Sequence, residues 1–95
     1  MVLKGTEIKS IRAGRVDIRE AYAKPQAGEL WLYNCHIAQY DAGNIYNHEP
    51  KRSRKILLHR KEIAWLASQV AEKRLTIVPL RMYIKNHMAK VELAL

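Results

Sequence analysis

Short segments of alternating apolar and polar residues recur along this chain, and they restrict it to a fold with several β-strands. In residues 30–38 the odd positions from Trp31 to Ile37 share one face of an extended strand, and Leu30 and Leu32 share the other face. Because both faces carry apolar side chains, we predict a single strand here that is covered on both sides.

A first β-hairpin is predicted around residues 24–28, whose proline and glycine are typical of a turn. Before this turn, apolar residues from Val16 to Tyr22 fall mostly at even positions, as in a strand. After it comes the strand at residues 30–38. The two strands should therefore pair antiparallel.

A second hairpin is predicted over residues 76–95, with its turn at Asn86 and His87. Apolar even positions of its first strand form one face: Val78, Leu80, Met82 and Ile84. The opposite face is basic and aromatic: Arg81, Tyr83 and Lys85. On the returning strand we expect Val91, Leu93 and Leu95 to point inward, and Lys90 to lie across from the basic face.

Two helices complete the predicted elements. Residues 5–14 read as two turns, with Thr6 as a possible N-cap and Gly14 at a left-handed C-terminal position. From residues 59 to 73, a stripe with helical spacing predicts one buried face: Ile63, Leu66, Ala67 and Val70. His59 is expected to start this helix, with Glu62 reaching back toward its free amides.

The 95 residues suffice for one small domain, and strands joined by hairpins with helices between them favour a small antiparallel β-barrel or a strongly curled sheet. Residues 40–54 lack the hydrophobic pattern and are predicted to form a long polar loop. The sequence thus predicts one mainly-β domain.

Excess positive charge indicates a polyanionic partner, since 17 Lys and Arg against 9 Asp and Glu give a net charge of +8. Nucleic acid is the first candidate and an anionic membrane surface the second. Residues 51–61 concentrate this charge without any acid: Lys51, Arg52, Arg54, Lys55, Arg60 and Lys61. The run suits phosphate contacts, although a solvated charged segment explains it equally well. The basic face with Tyr83 favours RNA, because a base can stack there while phosphates are held, but Tyr83 could instead be a half-buried packing residue.

Catalytic and metal-binding patterns are not found. The single cysteine, Cys35, lies in an apolar run and is predicted to be a core residue, which removes any internal disulfide. The four histidines are dispersed without zinc-ligand spacing, and no phosphate-binding loop or nucleophile elbow occurs. Without a signal peptide or a bilayer-length apolar run, we expect a cytoplasmic protein that is not an enzyme and needs no cofactor.

Three segments closely resemble the small protein B (SsrA-binding protein) family of bacteria: "LKGTEIKSIRAGRVDIREAYA" (residues 3–23), "ELWLYNCHIAQYDAGNIYNHEPKRSRKILLHRKEI" (29–63) and "LTIVPLRMYIKN" to "KVELAL" (75–95). The resemblance covers essentially the whole chain. It implies an oligonucleotide-binding-like antiparallel β-barrel with flanking short helices. It also implies binding to the tRNA-like domain of transfer-messenger RNA, which is delivered with elongation factor Tu to stalled ribosomes for trans-translation.

The resemblance also implies which residues contact RNA. These are Glu7, Lys9, Ser10 and Arg12 from the first segment, Lys55 and Leu57 from the second, and Lys85, Asn86 and Lys90 from the third. The residue pattern itself adds Tyr83. Glu7 has two predicted roles: an acid that stabilises a helix N-terminus, and a hydrogen-bond acceptor among the donors of the RNA surface.

This chain departs from the family at both ends, where we expect an N-terminal segment and a basic C-terminal tail to be missing. An exposed sheet edge and self-association would follow from the first loss, and impaired tagging on the ribosome from the second. Arg74 and His87 stand where the family usually has glycine. A generic ribosome-associated RNA-binding protein stays open as an alternative function, and a small RNA-processing enzyme ranks lower.

Overall fold

The computed structural model describes residues 1, 3, 5–39 and 48–95. The elements run in this order: α1 (Gly5–Arg12), β1 (Val16–Asp17), β2 (Tyr22–Gln26), β3 (Glu29–Tyr33), β4 (His36–Ile37), β5 (Arg54–Ile56), α2 (Arg60–Lys73), β6 (Val78–Lys85) and β7 (Met88–Ala94). Most of the predicted 40–54 loop lies outside the described residues. Its last residue, Arg54, begins a strand.

The strands pair antiparallel in three sheets, with the orders β1–β4, β2–β3–β5 and β6–β7. A single bridge between Ala23 and Ile77 connects the three-stranded sheet to the residue that precedes β6. The prediction of a mainly-β fold with antiparallel hairpins and two short helices is confirmed. Within the described residues the three sheets do not join into one closed barrel.

Both hairpins turn through two residues in the left-handed region of backbone space. Ala27 and Gly28 have φ of 54° and 77°, and Asn86 and His87 have φ of 52° and 62°. Two consecutive residues with positive φ match the right-handed twist of the flanking strands, so each hairpin can turn through only two residues. The second turn lies where it was predicted, whereas the first is narrower than residues 24–28 because β2 continues to Gln26.

The predicted strand over residues 30–38 is wrong in one respect, since the chain breaks at Asn34, whose φ is 58°. β3 precedes this break and β4 follows it. The extra residue reverses which side chains point inward, so Leu30 and Leu32 are buried before it, and Cys35 and Ile37 are buried after it. Trp31 and Tyr33 are left half-buried on the outer face.

A similar irregularity corrects the predicted face of β6. Pro79 pairs with Leu93 and Arg81 pairs with Glu92, so Leu80 has no cross-strand partner. This bulge reverses which side chains point inward, so Leu80 is 60% exposed, whereas Met82 and Ile84 pack partly buried against the core. On β7, Val91 and Leu93 pack on the core as predicted, whereas Leu95 beyond the end of the strand is exposed.

The predicted helices are confirmed, with corrections at their ends. Thr6 lies inside α1 rather than at its N-cap, while Gly14 has the expected left-handed φ of 73°. His59 is the N-cap residue of α2 but makes no side-chain cap hydrogen bond. Ile63 of α2 is buried, and Leu66 and Val70 pack beside it on the core. Neither helix has the length and apolar character that crossing a membrane would require.

Candidate nucleic-acid interface

Glu7 on α1 is the centre of a buried ionic cluster. Arg54 Nε donates to Glu7 Oε2 at 2.6 Å, and Arg52 Nη2 donates to Glu7 Oε1 at 2.6 Å. The side chains of Glu7 and Arg54 are fully buried, and that of Arg52 is 26% exposed. A buried carboxylate needs paired cations to offset its loss of hydration, and these two arginines supply them.

Arg54 uses its remaining donors to hold the surrounding backbone. Its Nη1 donates to the carbonyl oxygen of Cys35 at 2.7 Å and to that of Arg52 at 3.0 Å. Its Nη2 donates to the carbonyl of Pro50 at 3.0 Å. The planar guanidinium therefore joins α1, the start of β4 and the segment before β5 at one point.

His48 makes a second connection between α1 and β4. Its Nε2 lies 2.7 Å from the carbonyl oxygen of Ile37, and its Nδ1 lies 2.9 Å from Thr6 Oγ1. A carbonyl oxygen can only accept, so Nε2 donates to Ile37, and Nδ1 shares a hydrogen bond with the Thr6 hydroxyl. Nearby, Ser10 Oγ donates to the carbonyl of Ala38 at 2.6 Å.

These contacts divide the four α1 residues that were predicted to contact RNA. Glu7 and Ser10 are fully buried and face the protein. Lys9 and Arg12 lie on the exposed side of the helix. Glu7 lies in the first turn of α1, the position from which an acid was predicted to stabilise the helix N-terminus. Its carboxylate is enclosed by arginines, however, so it is not an open acceptor on the surface of this structure.

The β6–β7 hairpin carries four more of the predicted residues, Tyr83, Lys85, Asn86 and Lys90. Lys90 pairs directly with Tyr83 across the strands, so it lies across from the basic face as predicted. The Arg81 guanidinium lies 4.6 Å from the centroid of the Tyr83 ring, a cation–π contact that leaves the ring half-buried. Lys85, Asn86 and Lys90 are exposed. Because α1 packs on β6, this hairpin and the exposed face of α1 belong to neighbouring elements.

Lys55 and Leu57 lie elsewhere, beside a groove between the β2–β3 turn and α2. Lys55 Nζ is 2.5 Å from Glu29 Oε2, and both side chains are about 40% exposed. Leu57 is 57% exposed. Lys55 is part of β5, and Leu57 follows that strand.

The basic run of residues 51–61 does not form one phosphate-binding surface. Arg52 and Arg54 turn inward to Glu7, and Lys55 pairs with Glu29. The other three cations are exposed: Lys51, Arg60 and Lys61. Sequence reasoning missed the structural role of Arg54 and of His48. A signal that could have indicated Arg54 is the isolated acid Glu7 in a basic segment, because a carboxylate that becomes buried needs a cationic partner.

Cys35 is a buried core residue, as predicted. Burial raises the pKa of its thiol to about 11, because the thiolate would lose its hydration there. Within the described ranges, no group of three or more His, Cys, Asp or Glu residues is arranged to hold a metal ion.

The fold and this surface define a small antiparallel β domain with exposed cations on α1 and on one hairpin. Across residues 1–95 the chain matches the model of the SmpB protein family. It is 59% identical to the SsrA-binding protein of Dehalococcoides mccartyi strain 195 over 95 residues, and 56% identical to that of Carboxydothermus hydrogenoformans over 95 residues. The chain therefore belongs to the SmpB family, as the sequence resemblance indicated.

A solved structure described as "tmRNA-SmpB: a journey to the center of the bacterial ribosome" contains a similar chain, with a TM-score of 0.78 and 47% identity over 97% of this chain. The present chain covers 65% of that chain. It also covers 55% of the D. mccartyi protein and 64% of the C. hydrogenoformans protein. It thus spans less than two thirds of the length of either of these curated relatives.

Proposed function

We propose that this chain is an RNA-binding domain of trans-translation, which binds the tRNA-like domain of transfer-messenger RNA and helps deliver it to stalled ribosomes. Membership of the SmpB family over residues 1–95 carries this proposal. The relatives named above are SsrA-binding proteins, and the similar solved chain is described with tmRNA and the bacterial ribosome. The proposed partners are transfer-messenger RNA, the ribosome and, through the RNA, elongation factor Tu.

The exposure of the predicted RNA-binding residues supports different roles for them. Exposed cations hold phosphates, namely Lys9, Arg12, Lys85 and Lys90. Tyr83 and Asn86 are proposed to contact a base or ribose beside them. Glu7 and Ser10 act from beneath the surface, because their buried contacts fix the position of α1. Lys55 and Leu57 contribute from the separate groove beside α2.

The same proposal includes an oligonucleotide-binding-like barrel as the arrangement of the three sheets. The Ala23–Ile77 bridge supports it, since the Ala23 amide donates to the Ile77 carbonyl at 2.8 Å where two sheets meet. The domain is proposed to act by binding alone, without catalysis, and in the cytoplasm, where ribosomes are found.

A gel-shift titration tests the function. The chain should prefer the isolated tRNA-like domain of transfer-messenger RNA over ordinary tRNA and over duplex RNA. Equal affinity for all three would favour a generic RNA-binding protein, and cleavage of any of them would favour an RNA-processing enzyme. Either result contradicts the proposal.

Two lysine variants test the surface. Lys85→Ala and Lys90→Ala should each lower the slope of log affinity against log salt by about 0.7 to 0.9, which is the loss of one phosphate contact. Lys73→Ala, an exposed residue in the last turn of α2, is the control with the same charge change and should leave the slope unaltered. Equal effects of all three changes would mean that net charge, rather than this surface, determines binding.

A further inference from the structure

The outer face of the β2–β3–β5 sheet carries a second aromatic and basic surface. In the strand register Lys24 pairs with Trp31, and Trp31 pairs with Lys55, so an indole lies between two lysines in one row across three strands. The neighbouring row is the pair Tyr22 and Tyr33. We name this set of five residues the aromatic–lysine face.

The rings of this face lie close together and are held in place. The Tyr22 and Tyr33 rings are stacked, with centroids 5.5 Å apart and planes 25° apart. The Tyr33 hydroxyl donates to Gln26 Oε1 at 2.7 Å. This hydrogen bond holds the Tyr33 ring toward the neighbouring strand β2. Residues two apart on a strand are separated by about 6.6 Å, so Tyr33 and Trp31 offer consecutive positions for stacking.

The two residues of this face on β2 are its most exposed members. Lys24 is exposed, Tyr22 is 36% exposed, and Trp31 and Tyr33 are half-buried. α2 packs on the opposite face of the sheet, where its residues Ile63 and Ala64 border Pro25 and Ile56. The core is therefore on one side of the sheet and the aromatic–lysine face on the other, with Lys55 at the edge where that face meets the groove beside α2.

The carboxylate of Glu29 lies beside the aromatic–lysine face and contacts one of its lysines. Glu29 pairs with Lys55, and both side chains are about 40% exposed. An exposed pair of this kind contributes little to stability, so a phosphate can replace Glu29 as the partner of Lys55. Removing the Glu29 charge should therefore strengthen the binding of a polyanion here.

We propose that the aromatic–lysine face binds a short unpaired stretch of RNA. Two bases stack on Trp31 and the Tyr33–Tyr22 pair, and the flanking phosphates contact Lys24 and Lys55. Aromatic rings on a sheet with adjacent cations provide both interactions that single strands need, and stacking tolerates any base. This proposal rests on the proposed RNA-binding function and assigns it a second surface, separate from α1 and the β6–β7 hairpin.

Tryptophan fluorescence tests it, because the chain has only two tryptophans. In a Trp65→Phe background, which alters a residue that is 57% exposed on α2, Trp31 becomes the sole indole. A short oligouridylate should then quench Trp31 emission in a saturable way. Trp31→Leu should weaken binding of the oligonucleotide about fivefold or more, and Trp31→Phe should retain most of the affinity.

Charge variants distinguish a loss of RNA contacts from a loss of folding stability. Lys24→Ala should reduce the salt slope by about 0.7, while the matched control Lys73→Ala leaves it unchanged. Glu29→Gln should increase affinity for the oligonucleotide. A purely structural role of these residues, as cross-strand pairs, would alter stability without moving the salt slope.

Absence of quenching, or equal effects of Lys24→Ala and Lys73→Ala, would overturn the proposal. The two proposals fail separately, because preference for the tRNA-like domain is measured by gel shift and the aromatic–lysine face by Trp31 emission. Saturable quenching without that preference would support this second surface and reject the specific function.

Discussion

Arg54 and Glu7 form a fully buried ion pair, with Nε donating to Oε2 at 2.6 Å, although the two residues are 47 positions apart in the chain. Charges that are removed from water together are stable only while both remain, because loss of one leaves the other unpaired in the interior. This pair fixes α1, and with it the exposed Lys9 and Arg12, against the β5 region.

Replacing Glu7 by glutamine should lower the free energy of unfolding by about 3–5 kcal/mol, since Arg54 would keep its charge without a carboxylate. Urea denaturation measures this change. Glu20→Gln alters an exposed acid and is the control, with an expected effect below about 0.5 kcal/mol. A stable Glu7→Gln protein with weakened RNA discrimination would instead make Glu7 a direct RNA contact.

Arg54→Lys should also destabilise the fold, by about 2 kcal/mol or more, even though the charge is kept. Lysine cannot reproduce the planar set of donors that reaches Glu7, Cys35 and Pro50 at once. Arg60→Lys, at an exposed site on α2, is the matched substitution and should be nearly neutral. Thermal denaturation compares the two variants. Similar melting temperatures would contradict the structural role proposed for the Arg54 guanidinium.

Cys35 should resist alkylation in the native protein at pH 8. Its thiol is buried, and a pKa of about 11 keeps it protonated well above neutral pH, so little thiolate is available to react. Iodoacetamide labelling followed by mass spectrometry should show modification only in denaturant. The Glu7→Gln variant should label faster than the native chain, because it opens more often. Rapid labelling of the native chain would contradict this description of the core.

Arg74→Gly should stabilise the protein by about 1 kcal/mol. Arg74 ends α2 with φ of 51° and ψ of 41°, a left-handed conformation that costs less for glycine than for any residue with a Cβ. The neighbouring change Lys73→Gly is the control and should destabilise by about 1 kcal/mol, because Lys73 is still helical. If the urea midpoints of both variants moved in the same direction, the left-handed conformation at the end of α2 would not explain the change in stability.

Local pattern predicted the elements whose residues interact with near neighbours in sequence. The helical stripe containing Ile63 located α2, and the turn residues Asn86 and His87 located the second hairpin. Once that turn was known, strand alternation placed Lys90 across from the basic face that contains Tyr83. These relationships depend on the spacing of residues along one segment, so the hydrophobic periodicity of the sequence predicts them.

Single-residue irregularities were not predictable in this way. At Asn34 and at Leu80 one extra residue reverses the alternation, which puts Cys35 on the same buried side as Leu32 and exposes Leu80. Neither position has a strong local signal, because asparagine is only tolerant of positive φ and leucine is an ordinary strand residue. Packing against the rest of the core decides where such a break occurs.

The sequence by itself determined the antiparallel hairpins, the main helix, the basic character and the family to which the chain belongs. Only the tertiary structure decided which cations are structural and which are available to a partner. Lys51, Arg52, Arg54 and Lys55 are close in sequence, yet Lys51 is exposed, Arg52 and Arg54 turn inward to Glu7, and Lys55 pairs with Glu29. The reason is physical: the fate of a charge depends on the carboxylate that folding brings beside it, and Glu7 comes from a distant part of the chain.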